Sequence, residues 1–216
     1  MIRLLCLAIG YVFGMIQTGY FVGRYHRTDI RKHGSGNAGT TNALRTFGKK
    51  AGLITLVGDL LKSLVAILLV TVLFQEKYSE MLNLLALYTG VGCVLGHNFP
   101  CYLKFKGGKG IATSMGMVFA LDYRVGIGLA VLFLIIVLTT HYVSLGSILC
   151  YAAGVAAFIL LVHTGIMPLG SQYWIEMDVV LVLLLCLAVY RHRANISRLL
   201  KGKENKTYLG GHKPSS

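Results

Sequence analysis

Long uncharged stretches alternate with short basic ones along this chain. Leu4–Val22, Ser63–Gln75, Met81–Leu103, Gly110–Leu121, Val125–Ile175 and Val179–Tyr190 contain no Asp, Glu, Lys or Arg. A helix of about 20 apolar residues spans the ~30 Å of bilayer hydrocarbon. The runs therefore predict an all-α, polytopic integral membrane protein with seven transmembrane helices, at about 2–24, 52–75, 80–98, 109–122, 123–139, 142–163 and 176–191. The second extends back to Gly52 if Asp59 and Lys62 are accepted within it, and the longest run divides at Thr139–Tyr142. The fourth is short: ~12 residues at 1.5 Å rise reach only ~18 Å, so it needs local thinning or extended ends. One domain, 1–207, is expected, with 208–216 as a disordered tail.

A cleavable leader starting at Arg3 is the competing reading of the first run. The cluster Arg24, His26, Arg27, Arg31 and Lys32 that follows resists export, and no small-x-small cleavage site precedes it. Most basic residues fall in three polar segments, 24–50, 98–109 and the stretch from 191. The positive-inside rule puts all three in the cytoplasm, so an even number of crossings separates each pair. The N-terminus is then outside and the C-terminus cytoplasmic, with Glu76, Glu80, Asp122, Glu176 and Asp178 in the outer connections.

Composition agrees. Of 216 residues, 55% are hydrophobic and 13% charged, yet the formal net charge is +13. Such apolarity excludes a disordered chain and disfavours a basic nucleic-acid-binding globule, which needs a polar exterior. Five cysteines show no CxxC spacing, so neither disulfides nor a metal site is indicated. Gly10, Gly14, Gly19 and Gly23 read as helix-packing positions. Asp59 and Lys62, three apart within a span, are either functional intramembrane charges or an ion pair acting as a strut beneath the site.

The three basic segments carry candidate chemistry. Gly34, Gly36 and Gly39 match GxGxxG formally, but no strand precedes them, and the dinucleotide reading is rejected. Three glycines with Ser35, Asn37, Thr40, Thr41 and Asn42 can instead form a backbone nest for an oxyanion. The segment Gly96–Gly110 lacks Walker A spacing, but its Gly107-Gly108-Lys109-Gly110 opens a helix, where free N–H groups favour phosphate. If the last helix runs on, Arg191, His192, Asn195 and Arg198 share one face. Two Asn-x-Ser/Thr sequons on the cytoplasmic side are chance matches. An enzyme or a carrier for phosphorylated, lipid-related compounds fits these residues.

Ser35–Arg45, Gly96–Thr113 and His192–Glu204 resemble, in order and across nearly the whole chain, the three cytoplasmic motifs of the acylphosphate:glycerol-3-phosphate acyltransferases. Those are membrane enzymes of bacterial phospholipid synthesis. The resemblance implies transfer of an acyl group from acyl phosphate to the 1-hydroxyl of sn-glycerol 3-phosphate, giving 1-acylglycerol 3-phosphate and phosphate at the cytoplasmic face of the inner membrane. It implies His192, Asn195 and Ser35 as catalytic residues. Gly34, Gly36, Asn37, Gly39, Thr41, Asn42, Arg45, His97, Lys104, Gly107, Gly108, Lys109, Arg198 and Glu204 would bind substrate. Ser35, Gly36 and Asn37 would hold the acyl phosphate; Arg45, Lys104 and Asn195 would hold glycerol 3-phosphate. His192 would stand near the attacking hydroxyl, as base unless a substrate phosphate takes the proton. No cofactor or metal is expected. Expected partners are the two substrates, membrane lipids and other phospholipid-synthesis enzymes, with no nucleic acid. The His-x4-Asp signature of acyl-CoA-dependent acyltransferases is missing.

Overall fold

The structure, a computed structural model, describes residues 1–208, and every regular element among them is helical. The helices are α1 (Ile2–Gly14), α2 (Thr18–Tyr25), α3 (Thr40–Phe47), α4 (Lys49–Phe74), α5 (Leu82–Asn98), α6 (Ile111–Leu121), α7 (Tyr123–Thr140), α8 (Val143–His163), α9 (Trp174–Arg191) and α10 (Arg193–Leu200). Six stretches are long and apolar enough to cross a membrane: Ile2–Tyr25, Lys49–Phe74, Ser79–Leu103, Tyr123–Thr140, Val143–His163 and Ser171–Arg191. The seventh expected span, α6, has 11 residues and falls below that length. Of the expected tail, Tyr208 packs its ring against His141, with centroids 4.5 Å apart. The rest of that stretch lies outside the described residues.

Lipid-type burial explains the pattern. Leu53, Val57, Leu68 and Val72 of α4 and Ile127, Leu134 and Leu138 of α7 are exposed. They match a hydrocarbon solvent, not water. Inside, Leu84, Leu85 and Leu87 meet Ile67, Phe158, Met177 and Leu181 in one core. Helices immersed in lipid associate through close packing of small residues. α1 and α5 do so backbone to backbone. A methyl on Gly14 would lie 2.2 Å from the Cys93 carbonyl oxygen, and one on Gly96 2.2 Å from that of Tyr11.

One break divides the first helix range read from sequence, and a second closes the last range at the residue expected, Arg191. The first span is interrupted at Met15–Gln17, because Gln17 leaves helical geometry (φ −93°, ψ 87°) and is fully buried. Its side-chain Nε2 donates to the His97 carbonyl at 2.8 Å. The last span does not run on to 198: the chain bends at His192 (φ −99°, ψ 3°) and restarts as α10. The single helical face that a continuous helix would give Arg191–Arg198 is therefore replaced by a bend, across which Arg191 meets the Gly107 and Gly108 carbonyls.

Candidate active site

The 107–110 segment occupies the centre of the polar end. Gly107 N–H donates to the Asn98 carbonyl and Gly108 N–H to that of His97, folding the segment back on the end of α5. From the other side Arg191 Nη2 donates to the Gly107 and Gly108 carbonyls, at 3.2 and 2.6 Å. Gly110 turns the chain at φ 83°, left-handed backbone that suits glycine, and α6 begins at Ile111. The first N–H groups of α6 have no partner within the helix, and its positive dipole end favours an anion.

Around this helix start the α9–α10 bend and the chain beyond α10 build a charged network. Lys109 donates to the Asn195 side-chain oxygen. Asn195 Nδ2 donates to Glu204 at 2.6 Å, Arg198 Nε donates to Glu204 at 2.7 Å, and Ser144 donates to it at 2.9 Å. Arg45, from the last turn of α3, donates to Thr207 Oγ1 and to the Asn205 carbonyl. Thr207 N–H donates to the His141 carbonyl, so residues 204–207 run as a strap from α10 to the α7–α8 connection.

The titrations follow from this crowding. Burial, with Arg198, Arg191 and Arg45 nearby, lowers Lys109 to about 8 despite the opposing pull of Glu204. Burial also lowers Arg45. His192, 2% exposed, is lowered to about 4 by burial and then by Lys109. Burial alone would raise Glu204, but hydrogen bonds from Asn195, Arg198 and Ser144 bring it below the usual carboxylate range. His192 Nδ1 lies 2.8 Å from the Ala188 carbonyl, which can only accept. Nδ1 therefore carries the proton, and Nε2 presents a lone pair.

The 34–39 loop stands before α3. Gly34 and Gly36 adopt φ of 56° and 70°, while Ser35, Gly34 and Gly36 are exposed and Asn37, Gly39 and Thr41 half-buried. Asn42 is sealed at 1% exposure. Its oxygen accepts from Ser35 N–H at 2.9 Å, and its Nδ2 donates to the carbonyls of Ile30 and His33. That amide is fully engaged in shaping the loop.

Of the residues singled out from sequence, the structure brings together Arg45, Gly107, Gly108, Lys109, His192, Asn195, Arg198 and Glu204. It does not bring Lys104 among them: that residue is exposed on a left-handed turn position (φ 55°). His97 lies beneath the loop, 3% exposed, with its ring on Lys62. Arg191 and Lys62, noted in the sequence for their charge alone, join this site through Gly107–Gly108 and His97, while Ser144, Thr207 and Gln17 join it without any sequence signal. From Ile111 a narrow apolar groove runs among α6, α7, α8 and α9, lined by Met115, Phe133, Tyr151, Phe158 and Leu181.

The chain as a whole is similar to known proteins. The family model described as glycerol-3-phosphate acyltransferase matches residues 4–202. Relatives called glycerol-3-phosphate acyltransferase include one from Clostridioides difficile (strain 630), 40% identical over 92% of each chain. Another, from Finegoldia magna, is 41% identical over 94% of this chain and 93% of its own. Crystal structures of PlsY (YgiH), an integral membrane glycerol 3-phosphate acyltransferase, superpose closely. The glycerol 3-phosphate form gives a TM-score of 0.80 at 33% identity, over 95% of this chain and 96% of that one. The lysophosphatidic acid form gives 0.78 at 32%.

Proposed function

The chain belongs to the glycerol-3-phosphate acyltransferase family of integral membrane enzymes, and from that premise we propose that its acyl donor is a fatty acyl phosphate. The products are 1-acylglycerol 3-phosphate and inorganic phosphate. What carries this reading is the placement of one cationic cluster, Lys109, Arg45, Arg191 and Arg198, at the start of α6, where the apolar groove begins. A doubly charged headgroup and a hydrocarbon chain on one molecule match those two surfaces.

The chemistry asks little of the protein beyond placement. Acyl phosphate is a mixed anhydride with a good leaving group, so no protein nucleophile is required. The 1-hydroxyl oxygen attacks the acyl carbon, a C–O bond forms, and the bond from that carbon to the phosphate oxygen breaks. Ser35 and the Gly34–Gly39 backbone, with Asn37, cradle the donor phosphate. Arg45 and Asn195, with Lys109, hold glycerol 3-phosphate, and the α6 N–H groups stabilise the developing oxyanion. His192 accepts a hydrogen bond from the hydroxyl at Nε2. With its pKa lowered to about 4 it is a weak base, and the proton passes to the departing phosphate oxygen.

The membrane arrangement completes the proposal. Seven crossings, α6 being the short one, place the N-terminus outside and the C-terminus in the cytoplasm of a bacterial inner membrane. All three motif segments then face the cytoplasm. Support comes from the basic residues of 24–50, 98–109 and 191–206, against acidic outer connections.

Purified protein in detergent, given palmitoyl phosphate and glycerol 3-phosphate, is expected to release phosphate only when both are present and to form acylglycerol phosphate in equal amount. Release with one substrate alone, or uptake of glycerol phosphate into vesicles without acylation, overturns the reading.

A further inference from the structure

Lys62 lies in the middle of α4, a membrane-spanning helix, with its side chain 2% exposed. An ammonium group has three N–H donors. All three have acceptors: Asp59 Oδ1 at 2.9 Å, the Ile16 carbonyl at 2.7 Å and His97 Nδ1 at 2.8 Å. The Ile16 carbonyl is available because the first span breaks there. As the ammonium donates to Nδ1, the imidazole proton stands on Nε2. That edge of the ring lies directly against Gly108, where a methyl would come within 2.0 Å of Nε2. The backbone of His97 holds the same residue, since its carbonyl accepts from Gly108 N–H at 3.1 Å and from Gln17 Nε2 at 2.8 Å.

Gly108 is thus held between two arms. One is Asp59–Lys62–His97, reaching up from inside the bilayer. The other is Arg191, which donates to the Gly107 and Gly108 carbonyls from the bend before His192. Lys109, the next residue, bonds Asn195. Charges in hydrocarbon are costly and stay where they do something. A helix-stabilising pair would need only Asp59 and Lys62, yet this lysine has its third donor on the ring beneath the loop.

The geometry points to Asp59, Lys62 and His97 as positioning residues for the acyl transfer, acting through Gly108 to fix Lys109 and the start of α6 at the reacting groups. None of the three touches substrate. The inference rests on the proposed reaction and adds to it a route by which intramembrane charges set turnover.

The test uses full-length protein with palmitoyl phosphate and glycerol 3-phosphate, assayed well below each variant's unfolding temperature. Lys62→Met is expected to lower kcat by about 10²-fold, the scale of a 1 Å misplacement. Combining it with Arg191→Lys is expected to cost less than the product of the two single losses, since both act on one segment. Asp59→Asn keeps an acceptor for Lys62 at nearly the same volume and serves where Lys62→Met does not fold. Its expected loss is smaller, with the same non-additivity. A folded variant with kcat within about twofold of the parent, or costs that multiply within that error, overturns the inference. An inactive parent protein would instead sink the proposed reaction, so the two failures are distinct.

Discussion

Lys109 and Asn195 are joined by a hydrogen bond from the ammonium to the side-chain oxygen, and the other end of that amide donates to Glu204. One neutral group thereby separates a cation from a carboxylate while touching both. Replacing Asn195 with Leu removes both contacts, each involving a charged partner worth roughly 1.5–3 kcal/mol. The expected result is a fall in kcat/KM for glycerol 3-phosphate of about 10- to 100-fold, measured by phosphate release.

The charge on Lys109 has an alkaline limit within reach of assay. Its pKa of about 8 means that the ammonium is present below that pH and lost above it. Glycerol phosphate affinity should therefore weaken as pH rises through about 8. Glu204 pulls this pKa upward, so Glu204→Gln should move the alkaline limb to lower pH. A limb that stays put in Glu204→Gln, or that Lys109→Arg leaves unchanged, would assign it to another group.

His192 gives the opposite sign. Burial holds its pKa at about 4, below the ordinary 6.5, so the unfolded chain binds more protons between those values. Stability contributed by the neutral ring is complete above about 6.5 and is lost as pH falls toward 4. The unfolding temperature in detergent should drop over that window, and less so in His192→Asn. Turnover should show no acidic limb near 6.5. His192→Ala should lower kcat while the KM for glycerol 3-phosphate changes little; near-normal kcat would remove the ring from the reaction.

Glycine packing can be tested with a built-in contrast. Gly14→Ala places a methyl 2.2 Å from the Cys93 carbonyl oxygen and 2.7 Å from its Cα, so α1 must shift off α5. A cost of about 1–3 kcal/mol is expected. Gly128→Ala meets nothing within 4 Å on exposed α7 and should gain about 0.5–1 kcal/mol from helix propensity. Thermal unfolding of both variants in one detergent gives the comparison.

Hydrophobic run lengths made the helices legible because each long span in lipid must be apolar throughout. They placed the division at Thr139–Tyr142 correctly, since α7 ends at Thr140 and α8 begins at Val143. They could not show the breaks at 15–17 and 192. Both depend on partners distant in sequence: His97 for Gln17, and the Gly107–Gly108 carbonyls for Arg191. Motif chemistry singled out Lys109, Asn195 and Glu204, which the structure joins in one network, but residue type alone could not tell loop-shaping Asn42 from Asn195. Both are buried amides. The difference is whether the partners are backbone groups of one loop or charged side chains from other elements. The strap at Asn205–Thr207, beyond the residues matched by the family model, showed only a chance sequon, which says nothing of its contact with Arg45.

The interruption at Met15–Gln17 also bears on how the protein enters its membrane. Ile16 has a carbonyl freed from the helix, and Lys62 has two ammonium donors beyond the one that Asp59 takes within α4; left alone, these groups are unsatisfied in a solvent without water. Paired, they satisfy each other, and α5 supplies the third acceptor through His97. In the proposed topology the first three crossings thus complete one another's polar contacts. Where these contacts form during insertion, the first crossing is expected to stay laterally accessible until α4 and α5 have been inserted beside it.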